Sequence, residues 1–218
     1  MEVHLMNEHD DQQLPDTREV ILPEETSAEL TPEQAAGKAA ALLLAQAIYD
    51  RTAQNLVAPL KWIRQLKLDG LEDEKLSELL SAVDQGQACE DLKDTVLIKG
   101  KKDSYYFDAS IMTPEFARVQ ALIEDKDMLA TIAEVARHDS SLYPRPAPFS
   151  KFSAYPFRFS VDEIEGAAAR MQLSEEYRDI GVVEASNGAK AFYSSQSLSK
   201  NYARALFQDI EVDSREWQ

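Results

Sequence analysis

Ile180-Gly181-Val182-Val183-Glu184-Ala185-Ser186-Asn187-Gly188-Ala189-Lys190-Ala191-Phe192-Tyr193 reads as a β-hairpin. Strand-favouring apolar residues flank Asn187-Gly188, a pair that supplies the two positive-φ positions of a type I′ turn, so a two-residue hairpin loop is expected. Beyond it Leu198 and a hydroxyl N-cap, Ser199, lead into a helix that opens Tyr202-Ala203-Arg204. The same order of residue classes occurs 86 positions earlier, without a gap, so that 94 to 120 matches 180 to 206. Val96-Leu97 stand for Val182-Val183, Lys99-Gly100-Lys101-Lys102 for the turn, and Tyr106-Phe107 for Phe192-Tyr193. Met112 then stands for Leu198, Thr113 for Ser199, and Phe116-Ala117-Arg118 for Tyr202-Ala203-Arg204. Thr113-Pro114-Glu115 adds a strong helix start, an N-cap followed by proline at the first helical position.

An amphipathic helix precedes each hairpin. Leu76, Leu79, Leu80 and Val83 fall at i, i+3, i+4 and i+7, and Val161, Ile164, Ala168 and Met171 nearly repeat that stripe. A lone hairpin buries too little apolar surface to be stable, so each must pack on its helices. The expected fold is mostly helical α+β, built from tandem winged-helix-like units with a two-stranded hairpin wing each. The first unit is expected over 31–124 and the second over 125–218, after an acidic, disordered N-terminal tail, 1–30.

Thr31-Pro32-Glu33-Gln34 offers a cap and a capping-box glutamine for a helix over 31–50, whose small residues suit close helix packing. Its run Ala39 to Ile48 is broken by Gln46, preceded by Lys38, and far short of the about 20 residues a membrane span needs. A second helix carries Leu60, Ile63 and Leu66, with Pro59 near its first turn and Gly70 as a stop. A further one, about 125–137, carries Met128, Leu129, Ile132 and Val135.

Prolines at 144, 146, 148 and 156 exclude helix through most of 140–160. Tyr143, Phe149, Phe152, Tyr155, Phe157 and Phe159 nevertheless make it aromatic, and aromatic rings left in water are costly. It reads as an extended strap, serving either as intramolecular mortar or as a docking surface in which Tyr143, Phe149, Phe152, Tyr155 and Phe157 meet another protein.

Residues 1–30 hold nine acidic side chains and one arginine, half of the chain's net charge of −16. They lack the basic start and apolar core of a secretory signal, and a cytoplasmic location is expected. Val20-Ile21-Leu22, between Glu19 and Pro23-Glu24-Glu25, is either part of a plain tail or a short segment that orders on a partner. The remainder carries thirty acidic against twenty-two basic residues. A surface of that sign repels phosphates, so nucleic acid is disfavoured. The opposing signal is the first wing, Lys99, Lys101 and Lys102, with Lys61, Arg64 and Lys67 on one helix side. Asp94 and Asp103 flank that wing, and the second wing has only Lys190.

Catalytic chemistry has little to draw on. His4 and His9 lie in the tail, leaving His138 in the folded part, where a place near a helix C-terminus accounts for it better than a pairing with Asp139, since adjacent residues rarely form a catalytic pair. Cys89 is the sole cysteine, so neither an internal disulfide nor an ordinary iron–sulfur ligand set is available. The seven glycines show no phosphate-cradling spacing, and no metal-ligand cluster appears. No cofactor is expected.

Tyr143-Pro144-Arg145-Pro146-Ala147-Pro148, Tyr155-Pro156-Phe157, Glu184-Ala185-Ser186-Asn187-Gly188-Ala189, Tyr193-Ser194-Ser195 and Tyr202-Ala203 together resemble the uncharacterised YdhW type of protein. The resemblance implies an accessory member of an anaerobic oxidoreductase system, with an aldehyde-oxidoreductase-like enzyme or its ferredoxin-like subunit as partner; having one cysteine and no cluster ligands, such a member would be a part that carries no electrons. No catalytic residue is carried over. The function expected is thus a protein-interaction or accessory subunit without enzymatic activity, with a winged-helix DNA-binding regulator using the first wing as the alternative.

Overall fold

A computed structural model of the chain describes residues 31–66 and 72–214. The described residues form helices α1 (Pro32–Ala53), α2 (Leu60–Gln65), α3 (Asp73–Asp84), α4 (Pro114–Glu124), α5 (Met128–Leu142), α6 (Phe149–Ser153), α7 (Val161–Gln172) and α8 (Lys200–Gln208). The strands are β1 (Ala58–Pro59), β2 (Thr95–Lys99), β3 (Ser104–Asp108), β4 (Ala147–Pro148), β5 (Ile180–Glu184) and β6 (Lys190–Ser194). They make two small antiparallel sheets, ordered β1-β3-β2 and β4-β6-β5. Helix, strand, short helix, helix, hairpin, helix is the order in both halves.

Each hairpin is therefore the larger part of a three-stranded sheet, not a two-stranded wing. The unexpected third strand is an Ala-Pro pair, Ala58-Pro59 or Ala147-Pro148, at the sheet edge where a residue without an N–H is tolerated. Alternation along the central strand divides each core. Tyr106 joins Leu44, Ile48, Ile63, Leu76, Leu80 and Leu92 on one face of β3, while Tyr105 and Phe107 join Val57, Met112, Ala117 and Ala121 on the other. On β6, Phe192 joins Ile132, Phe152, Ile164 and Met171, while Ala191 and Tyr193 face Leu198, Ala203 and Phe207.

The local signals act where expected at most helix starts. Thr31 and Gln34 form a reciprocal capping box, and Thr113 and Ser199 accept from the Phe116 and Tyr202 amides. Ser160 and Glu163 form a second box at α7. One consequence is that Val161, expected in the buried stripe, begins α7 beside its cap and is 63% exposed, while Ile164, Ala168 and Met171 are buried. Leu60, Leu66 and Leu79 are only half-buried.

Other differences have plain physical causes. The second hairpin loop is longer than a two-residue type I′ turn: Gly188 alone of the pair has positive φ, 82°, and its N–H donates to the Ala185 carbonyl at 3.0 Å. The Ala185 N–H donates to the Ala189 carbonyl at 2.9 Å, the pattern of a type I turn closed by a left-handed glycine. Asn187 instead spends its side chain, whose Oδ1 accepts the Ala189 N–H. The helix expected over 125–137 starts later and runs to Leu142, two residues short of Pro144. The segment 140–160 is not simply extended, since β4 and α6 lie within it. Gly70 and Lys67, and the tail 1–30 with Val20, Ile21 and Leu22, lie outside the described residues.

Candidate functional site

Thr113 caps α4 and sets Phe116 on its first turn, 36% exposed, facing α5 across an open groove. The groove has a volume of about 430 Å³ and is walled by α4, α5 and the 143–157 segment. Val119, Val135 and Phe157 line it together with Tyr143 and Tyr155, which are 54% and 57% exposed. Tyr143 is held there because α5 ends on it: its N–H and that of Arg145 both donate to the Asp139 carbonyl, at 3.2 and 3.3 Å.

The charges are arranged in pairs. Buried Asp139 is neutralised by Lys151 at 2.5 Å, and Glu134 is met by Arg118 at 3.2 Å. The Arg145 guanidinium lies 5.2 Å over the Tyr143 ring, and Arg158 lies 5.5 Å over Tyr155. Neither arginine meets a carboxylate among the described residues. His138 packs edge-on against Tyr143, ring centres 5.9 Å apart, and its Nδ1 is 3.7 Å from Asp139, too far for a hydrogen bond. It sits one turn inside α5 rather than at the end.

Behind this groove Arg137 grips Asp179 with two bonds of 2.9 and 2.6 Å, and the Ser194 hydroxyl adds a third at 2.9 Å. The bond from Arg137, above all, holds the Asp179 carboxyl below its ordinary range against the opposing effect of burial.

The aromatic residues singled out in 140–160 divide into two groups. Tyr143, Tyr155 and Phe157 reach the groove. Phe152 is fully buried and Phe149 stacks on Phe192 at 4.5 Å, so these two are core and Phe152 offers no surface. The wing lysines are brought together but engaged: Lys99 with Asp84 at 3.2 Å, Lys101 with Asp127 at 2.6 Å, and the Lys102 ammonium with the Asp125 carbonyl. Asp125, wholly buried, also accepts the Lys101 and Lys102 backbone N–H groups at 2.7 and 3.2 Å. Phe116, Arg145, Arg158 and Lys151 were not foreseen as site residues. For Phe116 a signal existed, an aromatic matched by Tyr202 at the start of the corresponding helix.

Residues 126–215 match the YdhW C-terminal domain. The chain is also 30% identical over 141 residues to Uncharacterized protein YdhW of Escherichia coli (strain K12), across 65% of this chain and 64% of that protein. The similarity thus spans less than two thirds of the relative's length. No solved structure matches. The α5 and 143–157 walls of the groove fall inside the YdhW domain match, and the α4 wall falls outside it.

Among the described residues no group of three or more His, Cys, Asp or Glu side chains is placed to hold a metal ion. No helix among them is long and apolar enough to cross a membrane.

Proposed function

We propose that the chain is a pair of winged-helix-like units acting as a protein-interaction or accessory subunit without enzymatic activity. Its partner docks in the groove between α4, α5 and 143–157. The observation that carries this reading is the set of exposed rings, Phe116, Tyr143 and Tyr155, two of them topped by arginines that meet no carboxylate among the described residues. Aromatic and arginine side chains in one concave patch are the composition of interface hot spots. The occupant suited to them is a peptide segment of the partner that presents an apolar side chain flanked by carboxylates. In keeping with the resemblance to YdhW-type proteins, the partner is taken to be a subunit of an anaerobic oxidoreductase, either an aldehyde-oxidoreductase-like enzyme or its ferredoxin-like subunit.

In helix-turn-helix proteins it is the second helix of the motif that enters the DNA major groove, and here that place falls to α3 and α7. Their exposed faces carry Asp73, Glu74, Glu78 and Asp84, and Asp162, Glu163 and Glu165. Such faces repel phosphate and favour protein over nucleic acid. The DNA-binding alternative has one point in its favour: Lys101, Lys102, Lys126 and Arg170 border a single depression. Retardation of DNA at low salt that disappears on changing Lys99, Lys101 and Lys102 to alanine would support it.

The test of the main reading is purification of the tagged chain from cells grown without oxygen, beside a Tyr143→Ala/Tyr155→Ala variant. An oxidoreductase subunit identified by mass spectrometry, and then shown with purified proteins to bind the wild type but not the variant, is the expected result. Recovery of the chain alone at both low and moderate salt would overturn it.

A further inference from the structure

The groove continues past Arg145. A second open hollow, about 350 Å³, lies between β4, α6 and the chain that follows α8, and Asp139, Arg145 and Lys151 line both. The two hollows therefore adjoin along these three residues. Pro146 and Pro148, on either side of Ala147, give the second one an aliphatic wall, completed by buried Phe207 and by Ile210, which is 40% exposed.

Of the three shared side chains two cancel. Buried Asp139 is neutralised by Lys151 at 2.5 Å. Arg145 is left over. Its backbone N–H is tied to the Asp139 carbonyl and its guanidinium rests over the Tyr143 ring, so the side chain is held at the join, exposed, and it meets no carboxylate among the described residues. This occurs in a chain with 39 acidic and 23 basic side chains, where a carboxylate partner is the easiest kind to find. A guanidinium fork positioned before binding takes an incoming carboxylate at a low ordering cost.

We propose that the docked segment runs across both hollows, seating one large apolar side chain in each and an Asp or Glu on Arg145 between them. This rests on the groove being a peptide-docking site, as proposed above, and adds a second anchor and an acid at a fixed place. Pockets for separated side chains along one track are how peptide-binding surfaces select their ligands. Either hollow alone holds its anchor weakly, but one backbone joins the anchors, so the second binds at high effective concentration once the first is seated. The apolar anchors supply affinity and Arg145 supplies selectivity, because a segment with lysine in the middle sets like charges together.

Random peptides displayed on phage and selected on the full chain are the probe, and enriched sequences are then synthesised and titrated by fluorescence anisotropy. The expected pattern is two large apolar residues with Asp or Glu between them. Such a peptide loses affinity about tenfold or more on Tyr155→Ala, which alters the first hollow alone, and on Ile210→Gln, which alters the second alone. Exchange of its acid for lysine weakens binding to the wild-type chain and is rescued by Arg145→Glu. Lys61→Glu, the same reversal of charge at an exposed residue of α2 outside both hollows, rescues nothing. Thermal midpoints matching the wild type establish that each variant is folded. Peptides that need Tyr155 but are indifferent to Ile210→Gln and Arg145→Glu would overturn the inference and leave the groove as a docking site in place. Binding indifferent to Tyr155→Ala would remove both. Failure to enrich any sequence would overturn the two-anchor inference as well, leaving the groove to be judged by subunit retention alone.

Discussion

The Tyr105 hydroxyl donates to the Asp125 carboxylate, tying the central strand of the first sheet to the turn between α4 and α5. The same carboxylate receives two amides of the β2–β3 turn, so one buried side chain orders the whole tip of that hairpin. Burial first, and the bond to Asp125 second, push the Tyr105 hydroxyl well above its ordinary range. Asp125→Ala leaves those donors without an acceptor and is expected to lower stability by about 3 kcal/mol, as read from urea unfolding midpoints at constant slope. Asp125→Asn, which keeps one acceptor oxygen, costs less.

Gly100 and Gly166 make a contrasting pair. A Cβ on Gly100 would stand 2.7 Å from an Asp125 carboxylate oxygen and collide with the Tyr105 ring, whereas one on Gly166 in α7 meets nothing within 4 Å. Gly100→Ala is expected to lower the thermal midpoint by opening the hairpin tip. Gly166→Ala is expected to raise stability by about 0.5–1 kcal/mol, through helix propensity and a less free unfolded chain. Calorimetry of the two variants checks both signs.

Asp179 has a folded-state carboxyl value below the ordinary 3.8, chiefly through Arg137. A depressed carboxylate contributes stability that is present above its ordinary value and lost as pH falls through the folded one. Wild-type stability therefore drops below about pH 4, and Asp179→Asn flattens part of that drop. Asp127 and Glu163, also lowered, keep a residual slope of the same sign. Removing the cation instead, by Arg137→Met, strands the largely buried Asp179 and is expected to cost about 3 kcal/mol near neutral pH. Urea melts at stepped pH values separate the two effects.

Phe152 and Tyr143 were read together from the sequence and are expected to behave oppositely. Phe152→Ala empties a fully buried site between Phe157 and Phe192 and should cost about 3–5 kcal/mol. Tyr143→Ala, at a site 54% exposed, should change stability by less than about 0.5 kcal/mol while abolishing retention of the docked partner. Unfolding curves measured beside the pull-down distinguish core from groove.

The sequence foretold what short-range chemistry controls. Thr31, Thr113 and Ser199 cap helices as their patterns indicate, and the matched pairs Tyr106-Phe107 and Phe192-Tyr193 occupy matching faces of the two central strands. Ala58-Pro59 and Ala147-Pro148 escaped notice because two residues carry no periodicity, and a proline reads as a strand breaker unless the strand is an edge. Lys99, Lys101 and Lys102 read as a free basic wing because Asp84, Asp125 and Asp127, which engage them, are remote in sequence or fall across a turn. The groove was half legible: aromatic composition marked Tyr143, Tyr155 and Phe157, but nothing local marks which of six neighbouring rings a core will absorb.

Helix α4 is a party wall. Ala117 and Ala121 belong to the core of the first sheet, while Val119, on another side of the same helix, belongs to the core that holds Ile132 and Phe192. A recombinant fragment begun at residue 126, where the family match starts, would bare the seat of Val119, and one ended at 124 would bare Val119 itself. Neither half is therefore a finished building block, and a shuffled or truncated descendant of this chain would have to carry α4 with it or replace it.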